Sequence, residues 1–292
     1  MHKFLALLVG VVIAAMLVFN GELTDFYGVY LAAVLIHLAG LLPAFVTMKL
    51  KKQHVLGHKG LPLWMYLGGA VGVFTTVFNN AAFGHMSMTA IVALSLLANT
   101  LTSLLIDTLG LFGMPKRRLR LSTLAGLVFA LAGILWMLIG AEGDLLLAML
   151  LSFGAGITTV LARMINGRLA EHIGESAGSL VNLLVGTPCT ILCLLLLGGG
   201  LSLGSFTWAP WWTFIGGVLG AFVVLFTNSI VLKVPALQFT LLSFVGQIFG
   251  GLLFDLLLQR GYSTQSLVGG LLIAAGVCLN LLLEQGKKEA KP

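Results

Sequence analysis

Apolar runs long enough to cross a bilayer follow one another along this chain almost without interruption, and no other feature constrains its fold as tightly. A helix needs roughly 18 or more consecutive apolar residues to traverse the hydrocarbon core. Ten such runs occur, at 4–20, 28–48, 62–82, 86–106, 121–140, 145–165, 177–198, 210–230, 236–257 and 265–283. Their length and continuity exclude the alternating strands of a membrane barrel. Composition agrees: 59% of the residues are hydrophobic and 9% charged, against roughly 25% charged in an ordinary soluble domain. The expected fold class is therefore an all-α membrane protein with ten transmembrane helices. The first run, behind Met-His-Lys, is counted as a span and not as a cleaved leader, whose apolar region is about 7–15 residues. Cys189, Cys193 and Cys278 all fall inside expected spans, without disulfide or metal-ligand spacing, and read as small packing residues.

Basic residues fix the orientation, because loops rich in Lys and Arg stay in the cytoplasm. Fifteen of the 16 Lys and Arg residues lie at the N-terminus or behind even-numbered spans: Lys3; Lys49, Lys51, Lys52 and Lys59; Lys116, Arg117, Arg118 and Arg120; Arg163 and Arg168; Lys233; Lys287, Lys288 and Lys291. Only Arg260 falls on the other side, where Glu22, Asp25, Glu142 and Asp144 sit. Both termini are expected in the cytoplasm. The net charge of +6 thus reports membrane orientation, and no soluble basic domain is present that would read it as nucleic-acid binding.

The ten spans are written as two copies of five. "FNGELTDFYG" at 19–28 and "INGRLAEHIG" at 165–174 share the frame Asn-Gly-x-Leu-x-x-x-x-Gly at an offset of 146 residues. Gly10 and Gly156, and Gly40 and Gly186, keep that offset. At an offset of 148, "YLGGAVG" (66–72) matches "FIGGVLG" (214–220), and Asn80, Asn99, Asp107 and Gly113 match Asn228, Gln247, Asp255 and Gly261. Gly126 and Gly133 match Gly269 and Gly276 at an offset of 143. The expected units are 1–140 and 141–292. An odd number of spans per copy makes the second enter the membrane from the opposite side, so the halves are inverted repeats, the construction from which alternating-access transporters are built.

The Asn-Gly-x-Leu frame, the Gly-Gly-x-x-Gly opening of the third span and "IDTLGLFGMPKRRL" at 106–119 resemble the YdcZ-like branch of the drug/metabolite transporter superfamily. The resemblance covers nearly the whole chain, with "DTLGLFGMPKRR" its most specific part and "DLLLQRGYSTQS" a drifted second copy. In that branch the five-span unit commonly stands alone, so this chain looks like a fused tandem. The resemblance implies a ten-helix transporter with the first four helices of each half around a cavity, helices five and ten at the periphery, and export as the direction. Where family units usually carry Gln three residues before the Asn-Gly Asn, this chain has Leu17 and Arg163.

Polar groups within hydrocarbon are costly unless paired or facing water, so those near span centres are the first substrate candidates. Asn99 and Gln247, repeat partners near the middles of spans four and nine, can bond a polar substrate through their amides or bond across helices as glue. His37, central in span two, is Leu183 in the second copy; it can carry a coupling proton or bind an anion, or rest neutral against a carbonyl. Arg163, about a turn inside span six, either faces the cavity and attracts an anion or snorkels to the headgroups. Ser95 and Ser243, with Thr75, Thr76, Thr158 and Thr159, are candidate cavity lining, a role that competes with donation to helix carbonyls. Asn80 and Asn228, like Asn182 and Gln238, lie nearer span ends, and the first two read as caps or gate hydrogen bonds. Asn20 and Asn166, each before a Gly, suit a helix terminus followed by a turn and are assigned to the gates.

No Asp or Glu lies near a span centre, so the carboxylate that exchanges a proton for a cationic drug in the small multidrug resistance relatives has no counterpart. Cation binding would fall to aromatic faces such as Trp136, Phe78 or Trp64. There is no Walker sequence, no HExxH and no nucleophile elbow; no enzyme activity and no cofactor are expected. The reading is a secondary transporter of the bacterial cytoplasmic (inner) membrane that exports a small metabolite or drug-like solute, with a proton or ion as coupling partner. Its rivals are a flippase of an amphipathic or lipid-linked substrate and a membrane scaffold. Gly68 with Gly72 and Gly216 with Gly220 suit close helix packing, and the glycine rows of spans five and ten fit either packing on the bundle or a homodimer seam.

Overall fold

The computed structural model describes residues 2–55, 60–82, 88–117, 121–138, 145–198 and 208–257, and single residues or short runs between 264 and 279. Lys59, Arg118, Arg120, Glu142, Asp144, Arg260, Cys278, Lys287, Lys288 and Lys291 lie outside them. Every regular element among the described residues is a helix: α1 (His2–Leu50), α2 (Gly68–Ala82), α3 (Met88–Leu109), α4 (Leu121–Leu138), α5 (Leu145–Ile173), α6 (Glu175–Leu197), α7 (Ile215–Ile230) and α8 (Ala236–Leu257). Short 3-10 turns at Leu63–Leu67 and Trp211–Phe214 lead into α2 and α7.

Five helical stretches are long and apolar enough to cross a membrane: His2–Leu50, Leu146–Ile173, Glu175–Leu197, Trp211–Ile230 and Ala236–Phe254. The 49 residues of α1 cover the first two expected spans, and at about 1.5 Å per residue they exceed twice the hydrocarbon thickness. Shorter apolar helices occupy Leu63–Phe78, Leu94–Leu109, Leu124–Gly133 and Leu267–Gly276. Outward faces remain apolar: Phe4, Leu42, Leu146 and Leu196 are each at least 70% exposed, which lipid tolerates and water does not. The chain is an integral membrane protein.

The helix terminus and turn expected at Asn20-Gly21 and Asn166-Gly167 are absent. α1 runs through Asn20 and breaks at Gly28, where φ is 69° and ψ 170°; α5 runs through Asn166 to Ile173, and Gly174, with φ of 92°, separates it from α6. The left-handed backbone that only glycine adopts cheaply falls at the last residue of the repeated frame, not at its Asn-Gly.

The helices gather into two compact units, each drawing on both sequence copies. Unit one comprises 1–11, 81–157 and 234–292; unit two comprises 12–80 and 158–233. In unit one, α3 packs against α4 and α8. In unit two, α6 packs against α7 and the Leu63–Leu67 turn, around a core of Ala44, Met48, Leu169, Ile173, Ala177, Leu180, Val181, Leu183 and Ala221.

Candidate functional site

In unit one the candidates lie on α3 and α8. Ser95, Asn99, Ser103 and Asp107 recur every four residues on α3, and Ser243, Gln247, Gly251 and Asp255 repeat the register on α8, so each set forms one stripe of its helix. Ser103 and Thr240 join the helices through a 2.7 Å hydroxyl pair. Asn99 sits one turn from Ser103, and its Oδ1 is buried with no hydrogen-bond partner among the described residues. Gln247 is half-buried on α8. Ser95 donates to the Ser152 carbonyl at 2.9 Å and Ser243 to the Thr240 carbonyl at 3.1 Å, so both hydroxyls satisfy backbone acceptors. Gln238 is buried near the start of α8, its Nε2 without a partner among the described residues. A Cβ on Gly10 would overlap the Ser243 carbonyl, and a Cβ on Gly156 the Ser95 carbonyl, so each stripe is met by a glycine of the other copy.

The stripe ends in a contact that the sequence analysis missed. The buried Asp107 carboxylate accepts the N–H groups of Ala236 and Leu237, both at 2.9 Å. α8 follows Pro235, whose ring offers no capping oxygen, so α3 supplies the acceptor for these otherwise orphaned donors. The four-residue register with Ser95 and Asn99 was the available signal.

In unit two, the two motifs that looked separate in sequence meet each other. A Cβ on Gly216 would overlap the Asn20 side-chain oxygen, and a Cβ on Gly68 that of Asn166. Gly217 meets the Ile36 carbonyl and Gly69 the Asn182 carbonyl; Gly220 lies against Met16 and Gly72 against Ala162. Each of these pairs is the other with both members moved by the repeat offset. Asn166 is buried and donates from Nδ2 to Asn182 Oδ1 at 2.7 Å. Ile36 holds the sequence position equivalent to Asn182 and offers Asn20 no side-chain acceptor or donor; the Asn20 Oδ1 is buried without a partner among the described residues.

His37 belongs to the same pattern. Its Nδ1 donates to the Ala33 carbonyl at 2.9 Å, which leaves Nε2 as the acceptor of the neutral ring; Nε2 stands 2.8 Å from where a Gly186 Cβ would be. Leu183 packs on Gly40 in the exchanged position, 3.1 Å from its Cβ place. One turn from His37, Ala33 lines a small recess with Tyr30, Val73, Thr76, Val77, Thr190 and Cys193. Thr75 and Thr158 share a 2.9 Å hydroxyl contact, and Thr159 donates to Thr75 at 3.4 Å. Arg163 is half-buried on α5 within this unit. Phe78 packs on Phe74 with centroids 5.9 Å apart, Trp64 lies in the turn before α2, and Trp136 is exposed on α4 of unit one.

A polar cluster holds the start of α6. Gly174 provides no cap, and the Gln53 side-chain oxygen accepts the N–H groups of Ser176 at 2.8 Å and Ala177 at 3.1 Å. Lys51 Nζ pairs with Glu175 Oε1 at 2.8 Å and Gln53 Nε2 donates to Oε2 at 3.3 Å. Asn228 Nδ2 donates to the Glu175 carbonyl at 3.3 Å. Asn80, its repeat partner, lies in the last turn of α2, with its side chain outside the described residues.

No curated protein matches the chain. One solved structure, described only as "Crystal structure of protein", superposes with a TM-score of 0.72 over 97% of this chain and 96% of that one, at 19% identity; that likeness speaks for the fold alone. The profile of the family described as "Putative inner membrane exporter, YdcZ" matches twice, at 2–136 and 147–279. The two matches together span most of the 292 residues, as a tandem of two units would, and the chain belongs to this YdcZ family of the drug/metabolite transporters.

Proposed function

We propose that the chain is a secondary active exporter of a small polar metabolite or drug-like solute, working by alternating access of two inverted five-helix repeats, 1–140 and 141–292, with both termini in the cytoplasm. The observation that carries this reading is the exchange of contacts between repeat-equivalent residues: Asn20 with Gly216 and Asn166 with Gly68, His37 with Gly186 and Leu183 with Gly40. Such exchange is what a two-fold axis between copies generates, and an odd span number turns that axis into the membrane plane.

Asn99 and Gln247 are the proposed substrate ligands, with Ser95 and Ser243 one turn away on the same two stripes. The Asn99 oxygen, buried and without a partner among the described residues, supports this assignment: a buried acceptor left unmade costs about 1–3 kcal/mol, which a donor on the solute would recover. His37 is the proposed coupling group and Arg163 an anion-attracting neighbour in unit two. Asn20, Asn166, Asn80 and Asn228 line the proposed gates.

The test is solute-induced thermal stabilisation of the purified protein across amines, amino acids, nucleosides, organic anions and lipid-linked sugars, repeated in Asn99→Leu and Gln247→Leu. A ligand at 100 times its Kd stabilises a fold by about 2.7 kcal/mol. The expected result is a shift for one polar class that both variants lose while remaining folded. Stabilisation retained in both variants would remove the two amides from the site, and stabilisation by lipid-linked sugars alone would make the protein a flippase.

A further inference from the structure

The chain carries two short turns that the transport reading leaves unused. "LPLWMYLGG" at 61–69 and "APWWTFIGG" at 209–217 are repeat equivalents, and each folds as a proline followed by a 3-10 turn that feeds an apolar helix. The first hydrogen bond is the same in both: Met65 N–H donates to the Pro62 carbonyl and Thr213 N–H to the Pro210 carbonyl, each at 3.1 Å.

Both turns are two-faced. Inward, Leu61, Met65 and Tyr66 pack on the core of unit two, while Thr213 is fully buried and Phe214 packs with Leu23, Ala32 and Ala209. Tyr27 also accepts the Ala209 N–H at 3.1 Å. Outward, Leu63 is 83% exposed and Trp64 40%, and Trp208 and Trp211 are 86% and 74% exposed. The indoles of Trp211 and Trp212 hold a T-shaped pair with centroids 6.2 Å apart. A rigidly seated turn that presents indole outward, directly before an apolar helix, fits the boundary between lipid headgroups and acyl chains, where an amphipathic ring keeps its N–H wet and its body dry.

We propose that these turns dock on lipid headgroups, one at each membrane interface, and that they bind different leaflets. The assignment of sides rests on the inverted arrangement proposed above. The first turn follows Lys49, Lys51, Lys52 and Lys59, whereas residues 199–210 ahead of the second carry no charge. The Trp64 turn therefore docks on anionic phospholipid headgroups, to which basic side chains are drawn. The turn bearing Trp208, Trp211 and Trp212 docks through aromatic contact alone.

The test uses full-length variants that retain only Trp64 or only Trp211, the other tryptophans being Phe, reconstituted in phospholipids brominated near the glycerol or near the chain ends. Both indoles should be quenched about twofold more by the shallow bromines than by the deep ones, and the quenching of Trp64 alone should rise when the vesicle contains anionic lipid. Stronger quenching by deep bromines, or quenching by aqueous iodide with none by lipid, would overturn the proposal. Should a single-Trp chain fail to fold, Leu63→Cys and Trp208→Cys in a chain lacking Cys189, Cys193 and Cys278 carry the test through the depth of a spin label at each position. Sidedness is read separately, with an impermeant maleimide on intact cells. Reaction at Trp208→Cys but not at Leu63→Cys is expected, and reaction at both would sink the inverted arrangement while leaving the depth result standing.

Discussion

The side chain of Asn20 shows how far a residue's role was legible from the sequence. It recurs as Asn166 at the repeat offset, yet an Asn-Gly pair by itself signals a turn, because turn chemistry is local. Its partner is Gly216, almost two hundred residues away, so no window along the chain contained the contact. The glycine that ends each frame, Gly28 or Gly174, holds the positive φ instead. This makes Gly216→Ala a sharp substitution. It adds one methyl where the Asn20 oxygen already lies, and overpacking of this kind costs about 1–3 kcal/mol. The melting temperature of Gly216→Ala in detergent should fall, and Asn20→Ala in the same chain should restore much of the loss; a rescue of zero would mean that the two residues are not coupled. His37→Leu makes the opposite point. Leu183 already fills the exchanged position against Gly40, so the change should cost only about 1 kcal/mol as a near volume-conserving swap. With His37 as the coupling group, proton-driven uptake into vesicles should lose its pH dependence while the protein stays folded. An unaltered pH profile would make the imidazole structural.

At the scale of elements, hydropathy was enough to set the helical class of the described residues but not what ends each helix. α1 joins two helical stretches that meet at Gly28, a break that periodicity and composition do not place because they do not register a single positive-φ residue. The starts of α6 and α8 were equally opaque. Gly174 and Pro235 precede them, neither with a capping side chain, and the acceptors come from Gln53, three residues beyond the end of α1, and from Asp107 on α3. A lost cap costs about 0.5–2 kcal/mol, and a buried charged acceptor such as Asp107 sits at the upper end. Gln53→Leu should therefore open the first turn of α6 to hydrogen exchange and leave α8 protected, whereas Asp107→Leu should do the reverse. Equal exchange in both helices for either variant would show that packing, not the distant cap, holds these ends. The Lys51 pair with Glu175 is partly exposed and adds little by itself, so Lys51→Ala should change neither pattern.

At the scale of the whole molecule, the sequence copies and the compact units divide the chain differently. The repeat suggests a cut between 140 and 141, but units one and two each take helices from both copies. The unit boundaries after Val11 and Ile157 are themselves 146 residues apart, so the first helix of each copy passes from one unit to the other at the equivalent point. The cause lies in the glycine contacts. Gly68, Gly69 and Gly72 of the first copy close on Asn166, Asn182 and Ala162 of the second, and the reciprocal set closes in the same unit. A half-chain would keep its spans but leave every one of these glycine grooves unfilled. Packing of small residues is a principal source of helix association in a membrane, where no hydrophobic force drives helices together. Residues 1–140 or 141–292 expressed alone should therefore insert but remain protease-sensitive and polydisperse. Co-expression of the two should restore a single monodisperse species with the melting temperature of the intact chain to within a few degrees. A half that is protease-resistant by itself would mean that one copy fills its own grooves, most simply by pairing with a second identical half. That result would identify the five-helix unit, and not the mixed unit, as what folds.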